Sequence, residues 1–541
     1  MAKPTNAARL QRAMQQAVKL AVRHHNAGRL DKAAAGYRQV LQADPDNTTA
    51  LHLLGVTAHQ AGDDERAAEL ISRAIALAPG YADAHSNLGY VLQKLGRMEE
   101  ALASFYRAVT LTPDLAPAHN NVGNALRALG RLPEAVDSYG MAVALSPGFA
   151  QAHCNYGGAL QELGRLDDAL AQYREAIAIQ PDYAEAYVNL GALLRELGQI
   201  GEAVASYNQA LKLDPANVTA HANLTGLYIT EFDDDARAID ESRNSLEVLR
   251  RSEFGAAGSE AALARLVQRG IPPFRLKHDV QQVDYLAAKG RDVAGIDDFR
   301  KLGHEILARA EAAADQPLRL TRAEALTALP YLQARHVHPA PEISGGALNP
   351  ENDWDALQEE YLSSPAEIIH IDDFLSPDAL AAFQEFCLAS KVWLKEYPNK
   401  YLGAFSDQGF ISPLHVQLAH ELQQRMPKIF GGHRVGRFWG FKYDATLGKG
   451  INVHADFALV NLNFWITPDE CNLDPESGGL EVYDVPSPKD WHFKAYNEDK
   501  ERIYRFLEAN KANSVNVPYR CNRAVLFNSA YFHETAQIHF K

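Results

Sequence analysis

From residue 14 to about 217 the apolar positions recur with a helical period, and the whole pattern repeats every 34 residues. Prolines stand at Pro45, Pro79, Pro113, Pro147, Pro181 and Pro215. Glycines keep the same step at Gly28, Gly62, Gly96, Gly130, Gly164 and Gly198, and alanines at Ala33, Ala67, Ala101, Ala135, Ala169 and Ala203. Further ladders run through Gly55, Gly89, Gly123, Gly157 and Gly191, and through Ala74, Ala108, Ala142, Ala176 and Ala210. An aromatic ring recurs at Tyr37, Phe105, Tyr139, Tyr173 and Tyr207, with Ile71 once in its place. This pattern predicts six helical hairpins. In each, glycine makes the turn, small residues let two helices approach, the ring fills the groove and proline stops the second helix. A single hairpin cannot bury its apolar face, so successive units must stack.

The array resembles the tetratricopeptide-repeat (TPR) family over 14–217. Its first repeat is the most degenerate, with Ala21 and Val40 in place of the usual small residues, as expected of a terminal cap. A segment 1–13 precedes it, and 218–231 reads as a capping helix. Asparagine recurs at Asn87, Asn121, Asn155, Asn189 and Asn223, on the first helix of each unit. A primary amide both donates and accepts, so this line can hold the backbone of an extended peptide, or it can bond neighbouring stacked helices. The first alternative resembles the asparagine ladder in the TPR superhelix of the O-linked N-acetylglucosamine transferase. Histidine recurs at His85, His119, His153 and His221, with Tyr187 breaking the series. Two helices, each packed at roughly 8–10 Å from the next, separate successive members. Ligation of a shared metal at about 2 Å is therefore excluded, and these imidazoles are expected to fill a large-ring position.

Residues 232–364 carry no repeat. Helical signals at 261–267 and 299–313, broken at Gly270 and at Gly345–Gly346, predict a helical connector. The acidic run after Phe232 reads as a solvated exit from the array.

Past 365 the period shortens. Strand patterns begin at Glu367 and recur at 436–443, 451–453, 460–466, 479–483, 514–517 and 524–527, a succession that predicts a sandwich or jelly-roll barrel. Ser376 and Pro377 mark a helix start as N-cap and first-turn proline. His454 and Asp456, two apart on an extended backbone, point the same way and can share one ion. His533 from a distant strand completes a two-histidine, one-carboxylate set with open positions, which suits non-haem Fe(II). A second His-x-Asp, at His370 and Asp372, lies ahead of the barrel strands and leads into the helix cap. It is read as a decoy, with Asp372 or Asp373 serving the turn.

The surroundings of these residues resemble the 2-oxoglutarate and Fe(II)-dependent dioxygenases, in particular the prolyl-hydroxylase-like branch. The resemblance covers about 365–541. It is carried by Ile371-Asp-Asp-Phe-Leu-Ser-Pro-Asp, by Tyr443 with Gly448 and Gly450 before His454, by Gly478-Gly-Leu-Glu-Val, and by Ala524-Val-Leu-Phe with His533-Glu-Thr. It implies a double-stranded β-helix (jelly-roll) fold, His454, Asp456 and His533 as iron ligands, and Tyr443 as a contact for 2-oxoglutarate. In that family a basic residue on the strand after the distal histidine binds the far carboxylate of the co-substrate. Here the chain stops at Lys541, so either the sequence is a fragment whose domain is truncated, which is the favoured reading, or Arg523 or Lys442 is a substitute contact, or the co-substrate is not held in the usual way. His492, in the insert 484–513, reads as a surface or lid residue.

Composition narrows the remaining choices. The 541 residues, 47% apolar and 22% charged, describe a multidomain globular chain. Its formal net charge of -15 disfavours nucleic acid and anionic membrane surfaces as partners. Four dispersed cysteines without a C-x-x-C pair, no secretory signal and no run of about 18 apolar residues point to a reducing, cytoplasmic setting. The expectation is thus an all-α TPR solenoid (14–217), a capping helix (218–231), a helical connector (232–364) and a jelly-roll oxygenase-like domain (365–541). The expected function is Fe(II)- and 2-oxoglutarate-dependent hydroxylation of a peptide or protein recruited by the array. The alternative is a non-catalytic TPR scaffold with a degenerate barrel. No phosphate-cradling glycine loop follows the array, which argues against glycosyl transfer.

Overall fold

The computed structural model describes residues 6–536 except 233, 255–258, 311–315, 335, 365–366, 398–399, 434–435, 444–450, 457, 475–477, 489–490, 492–495 and 498, and side chains other than those of 6–13, 254 and 310. Gly448, Gly450 and His492 lie outside the described residues. The chain divides into two compact units, Met1–Asp214 and Pro215–Lys541.

The first unit is a series of antiparallel helical hairpins. They are α1 (Asn6–Asn26) with α2 (Leu30–Ala43), α3 (Thr48–Gln60) with α4 (Asp64–Leu77), and α5 (Ala82–Lys94) with α6 (Met98–Leu111). Then come α7 (Ala116–Ala128) with α8 (Leu132–Leu145), α9 (Ala150–Glu162) with α10 (Leu166–Ile179), and α11 (Ala184–Glu196) with α12 (Ile200–Leu213). Gly62 turns one hairpin at a φ of 85°, a left-handed conformation that costs glycine little. The other glycine ladder serves close approach. At Gly123 an added Cβ would stand 2.6 Å from Tyr139 Cε1, because the Tyr139 ring lies directly on the glycine. The recurring rings are almost fully buried there.

The recurrent histidines do more than fill a ring position. His85, His119 and His153 each place Nε2 at 2.9 to 3.1 Å from the carbonyl of Pro79, Pro113 and Pro147, six residues earlier. His221 does the same to Pro215 at 3.2 Å in the second unit. An imidazole N–H thus satisfies the carbonyl that the helix-ending proline leaves over.

The second unit opens with α13 (Val218–Leu227) packed on α14 (Asp235–Phe254). There follow α15 (Glu260–Arg269), α16 (Pro273–Ala288), α17 (Ile296–Ala310), α18 (Arg322–Gln333) and α19 (Trp354–Ser363). The segment read as a connector is part of the same body as the strands that follow. Leu246, Trp354 and Tyr361 share one apolar core with Ile369, Phe374, Phe383 and Leu526. Buried cations tie these layers. Arg250 donates to the carbonyls of Leu332 and Lys391, and Arg275, paired with Asp279 at 3.0 Å, donates to Trp393 O at 2.7 Å.

Strands and helices then alternate irregularly. In order they are β1 (Ile368–Ile371), α20 (Pro377–Ala389), β2 (Lys395–Tyr397), β3 (Tyr401–Phe405), α21 (Pro413–Arg425), α22 (Pro427–Phe430), β4 (Trp439–Tyr443) and β5 (Val460–Phe464). The remainder is β6 (Leu480–Pro486), α23 (Lys500–Ala509), β7 (Ser514–Val517), β8 (Ala524–Asn528) and β9 (Tyr531–Thr535). The strands form three small antiparallel sheets with orders β1-β8-β5, β2-β3-β4 and β7-β6-β9. Ser376 caps α20 as expected, accepting from the Ala379 amide. The predicted strand at 451–453 is instead an isolated bridge one residue later, at His454.

Alternation assigns the faces. Val460, Leu462, Phe464, Ala524 and Leu526 turn toward the helices. Val525 and Phe527 turn the other way and share a second core with Leu480, Val482 and Val517, so the β8 and β6 sheets stack face to face.

Candidate functional site

The site forms where β9 meets the segment carrying His454. His454 and His533 are antiparallel partners, and the same segment reaches β8 through the Asp456 amide, which donates to Ser529 O at 3.1 Å. Val453 and Ala455 point into an apolar cluster with Ile503, Leu507 of α23 and Phe532. Period-two alternation therefore sends His454, Asp456 and His533 to the opposite, inner face. The back of β9 is anchored by Glu534, which accepts from the hydroxyls of Tyr483 and Tyr504, each at 2.8 Å.

His454, Asp456 and His533 converge, with one ligand atom from each inside a 4.8 Å span. His533 is 4% exposed in its side chain, and its Nε2 stands 3.4 Å from Asp456 Oδ2. His454 Nε2 stands 3.8 Å from Asp456 Oδ1. Each Nδ1 faces a backbone carbonyl two residues earlier, Asn452 O at 2.8 Å and Tyr531 O at 3.1 Å. Those bonds occupy each Nδ1 and turn each Nε2 toward the carboxylate, the ring edge with which a metal would be bound. Burial and the neighbouring His533 hold the His454 imidazole down, to about 4. Burial acts to raise Asp456, but the hydrogen bond and charge of His533 outweigh it and bring the carboxyl to about 2. An ionised carboxylate between two imidazoles that turn Nε2 inward is a donor set that fits a divalent transition metal.

Tyr443 at the end of β4 reaches toward this face. Its hydroxyl is 3.5 Å from Thr535 Oγ1, and Thr535 follows His533 by two residues on β9. Burial pushes this phenol up to about 12, so it acts as a neutral hydrogen-bonding group.

Arg523 does not join them, contrary to the sequence expectation. Its Nη2 meets Asp372 Oδ2 at 3.0 Å, its Nε the other oxygen, and its Nη1 donates to Pro518 O at 3.0 Å. It precedes β8 at the end remote from Ser529, about 20 Å of extended chain from the residue that bonds Asp456. Lys442 donates to Gln281 at 3.2 Å. Asp372 of the other His-x-Asp also accepts from Arg520 at 2.7 Å. Two guanidinium groups thus neutralise it, which suits the structural role assigned to that motif.

One member of the site lay unread in the sequence. Asn461 of β5 is 2% exposed and donates to Asp456 Oδ2. The signal was Asn461 with Asn463, polar residues at alternate positions of an otherwise apolar strand.

In the first unit the asparagines bridge repeats. Asn87 Nδ2 meets His52 Nε2 at 2.7 Å, Asn155 Nδ2 donates to Asn120 Oδ1 at 2.9 Å, and Asn189 Nδ2 donates to Cys154 Sγ at 3.3 Å. Asn121 accepts from Tyr90 Oη at 2.7 Å. Asn87, Asn155 and Asn189 thus use their amide nitrogens for helix-to-helix contacts. Beside Asn155 and Asn189 lies a recess of about 480 Å³, also lined by Arg127, Gln161, Glu162 and Glu196. Across it Arg127 pairs with Glu162 at 2.6 Å, and Gln161 donates to Glu196 at 2.7 Å. Asn223 sits half-buried on α13 of the second unit. Among the described residues no helix is long and apolar enough to cross a membrane.

Comparison with known proteins bears on the first unit. Residues 18–82, 80–147 and 148–216 match tetratricopeptide-repeat families, and this part of the chain is a TPR array. Solved structures with similarity to it include a MamA protein, 25% identical over 32% of this chain and 94% of that one, with a TM-score of 0.29. Another is YrrB, described as a TPR protein with an unusual peptide-binding site, 22% identical over 35% of this chain and 99% of that one, TM-score 0.31. A third is a thermophilic TPR protein from Thermus thermophilus, 26% identical over 34% of this chain and 99% of that one, TM-score 0.29. No curated protein matches the chain.

Proposed function

We propose that the chain is a TPR-linked oxygenase whose chemical centre is the His454, Asp456 and His533 set, with Fe(II) as its metal. The convergence of these three groups within 4.8 Å carries the reading. Two stacked antiparallel sheets around one core support assigning the surrounding strands to a double-stranded β-helix. If bound there, Fe(II) and 2-oxoglutarate would let O2 deliver one oxygen atom to a C–H bond of the substrate and the other to the oxo acid, which would leave as succinate and carbon dioxide. The chain's own part is to present two imidazoles and one carboxylate from ladder-paired backbone, and to keep the phenol of Tyr443 protonated beside them. Of the three residues expected to contact 2-oxoglutarate, Tyr443 meets Thr535, two residues past His533, while Lys442 bonds Gln281. Arg523 does not fit that role, because Asp372 holds its guanidinium.

The substrate of this reading is a peptide or protein. The TPR scaffold supplies a polar recess for it, with the asparagine ladder alongside. The commitment of Arg523 to Asp372 favours a second reading, in which the chain is a scaffold whose barrel no longer turns over 2-oxoglutarate. Carbon dioxide release from 2-oxoglutarate, dependent on added Fe(II), separates the two. The oxygenase reading expects release by the wild type and none by His454→Ala. Equal release by both proteins would remove the triad from the mechanism.

A further inference from the structure

We propose that Asn461 is the positioning residue of this metal site, a role that rests on the reading just given. Its amide is almost fully buried on the inner face of β5, opposite Phe527 of β8, and the Phe527 ring packs at 4.8 Å on His533. From there Nδ2 donates to one carboxylate oxygen of Asp456. A buried amide at an otherwise apolar strand position is costly unless its hydrogen bond is made, and this bond is the one the position serves.

The chemistry of the donor separates the two His-x-Asp motifs of the domain. Asp372 is held by the cations Arg520 and Arg523, which cancel its charge. Asp456 is held by a neutral amide, which fixes the carboxylate and leaves its negative charge available to an ion. Asn461 thereby selects the orientation of Asp456 without competing electrostatically for it, as outer-shell partners of metal ligands do.

The test is titration of the full-length, metal-free chain with Mn(II), read as free ion by electron paramagnetic resonance. Wild type, Asn461→Leu, Asn461→Ser and the same-strand control Asn463→Leu are compared. The two Asn461 variants err in opposite steric senses, and both lack a donor that reaches Asp456. Expected are one site in the wild type, a loss of roughly 10–100-fold in affinity in both Asn461 variants, and retention in Asn463→Leu. Metal-free melting followed in parallel identifies any variant that has lost its fold, and the visible spectrum of the Co(II) form reports altered ligation directly. Failure of the wild type to bind Mn(II) overturns the metal-site reading itself. Binding by both Asn461 variants within twofold of a wild type that does bind, with an unchanged Co(II) spectrum, overturns the role of Asn461 alone.

Discussion

The backbones of His454 and His533 exchange two hydrogen bonds, N–H to O at 3.0 and 2.8 Å. Two side chains remote in sequence thereby become a directly opposed cross-strand pair, their ring centroids 4.3 Å apart. Ladder geometry holds the pair, so the backbone itself sets the two imidazoles side by side.

Arg523 is expected to act on stability and not on the metal. Arg523→Gln removes a fork-like contact to Asp372, whose side chain is about a third exposed, so solvent screening limits the loss to about 1 kcal/mol. Chemical unfolding should register that loss while divalent-metal affinity stays at the wild-type value. A large drop in metal affinity would reinstate Arg523 at the site.

Asn120 and Asn155 should be energetically coupled. Because the Asn155 amide donates to Asn120 from one repeat to the next, a double-mutant cycle to alanine is expected to give about 0.5–1.5 kcal/mol of interaction in urea unfolding. Additive effects would mean that the bond does nothing for stacking.

Gly123→Ala should overpack the groove against Tyr139 and cost about 1–3 kcal/mol. Combining it with Tyr139→Leu, which makes room for the methyl group, should recover part of that loss in the same assay.

Acid should weaken the second unit through His415. This imidazole is enclosed by Phe383, Phe386, Phe410 and Phe438, with Ser412 Oγ at 2.7 Å from Nδ1, and burial holds it down to about 3. The unfolded chain, titrating near 6.5, binds more protons than the folded one between these values. The stabilisation is thus present above about pH 6.5 and is lost as pH falls toward 3. From pH 7 to pH 5 the loss is about 2 kcal/mol, and His415→Leu should flatten that part of the pH profile of unfolding.

The repeat array was legible because each repeat meets the same environment. A proline every 34 residues and a glycine under four of the five rings leave one stacking solution, and Gly123 beneath Tyr139 is the contact the periodicity implied. The convergence of His454, Asp456 and His533 was legible for a related reason, since alternation fixes a shared face for the first two and the family-like surroundings join the distant strands. The pairing of Arg523 with Asp372 was not legible, because position along the chain does not reveal which residue stands at that end of β8. β2 and β3 escaped notice because Lys395–Tyr397 is only three residues long and Tyr401–Phe405 carries a glycine in place of an alternating pattern. Continuity of the helical segment with the strand core depends on contacts such as Trp354 with Phe374, which no local periodicity encodes.

The central claim is tested most directly by anaerobic addition of Fe(II) and 2-oxoglutarate to the full chain, followed by visible absorption. A charge-transfer band of the chelated co-substrate in the wild type, absent in His454→Ala, is the predicted result. No band and no retained iron in a wild-type protein that melts cooperatively would contradict it.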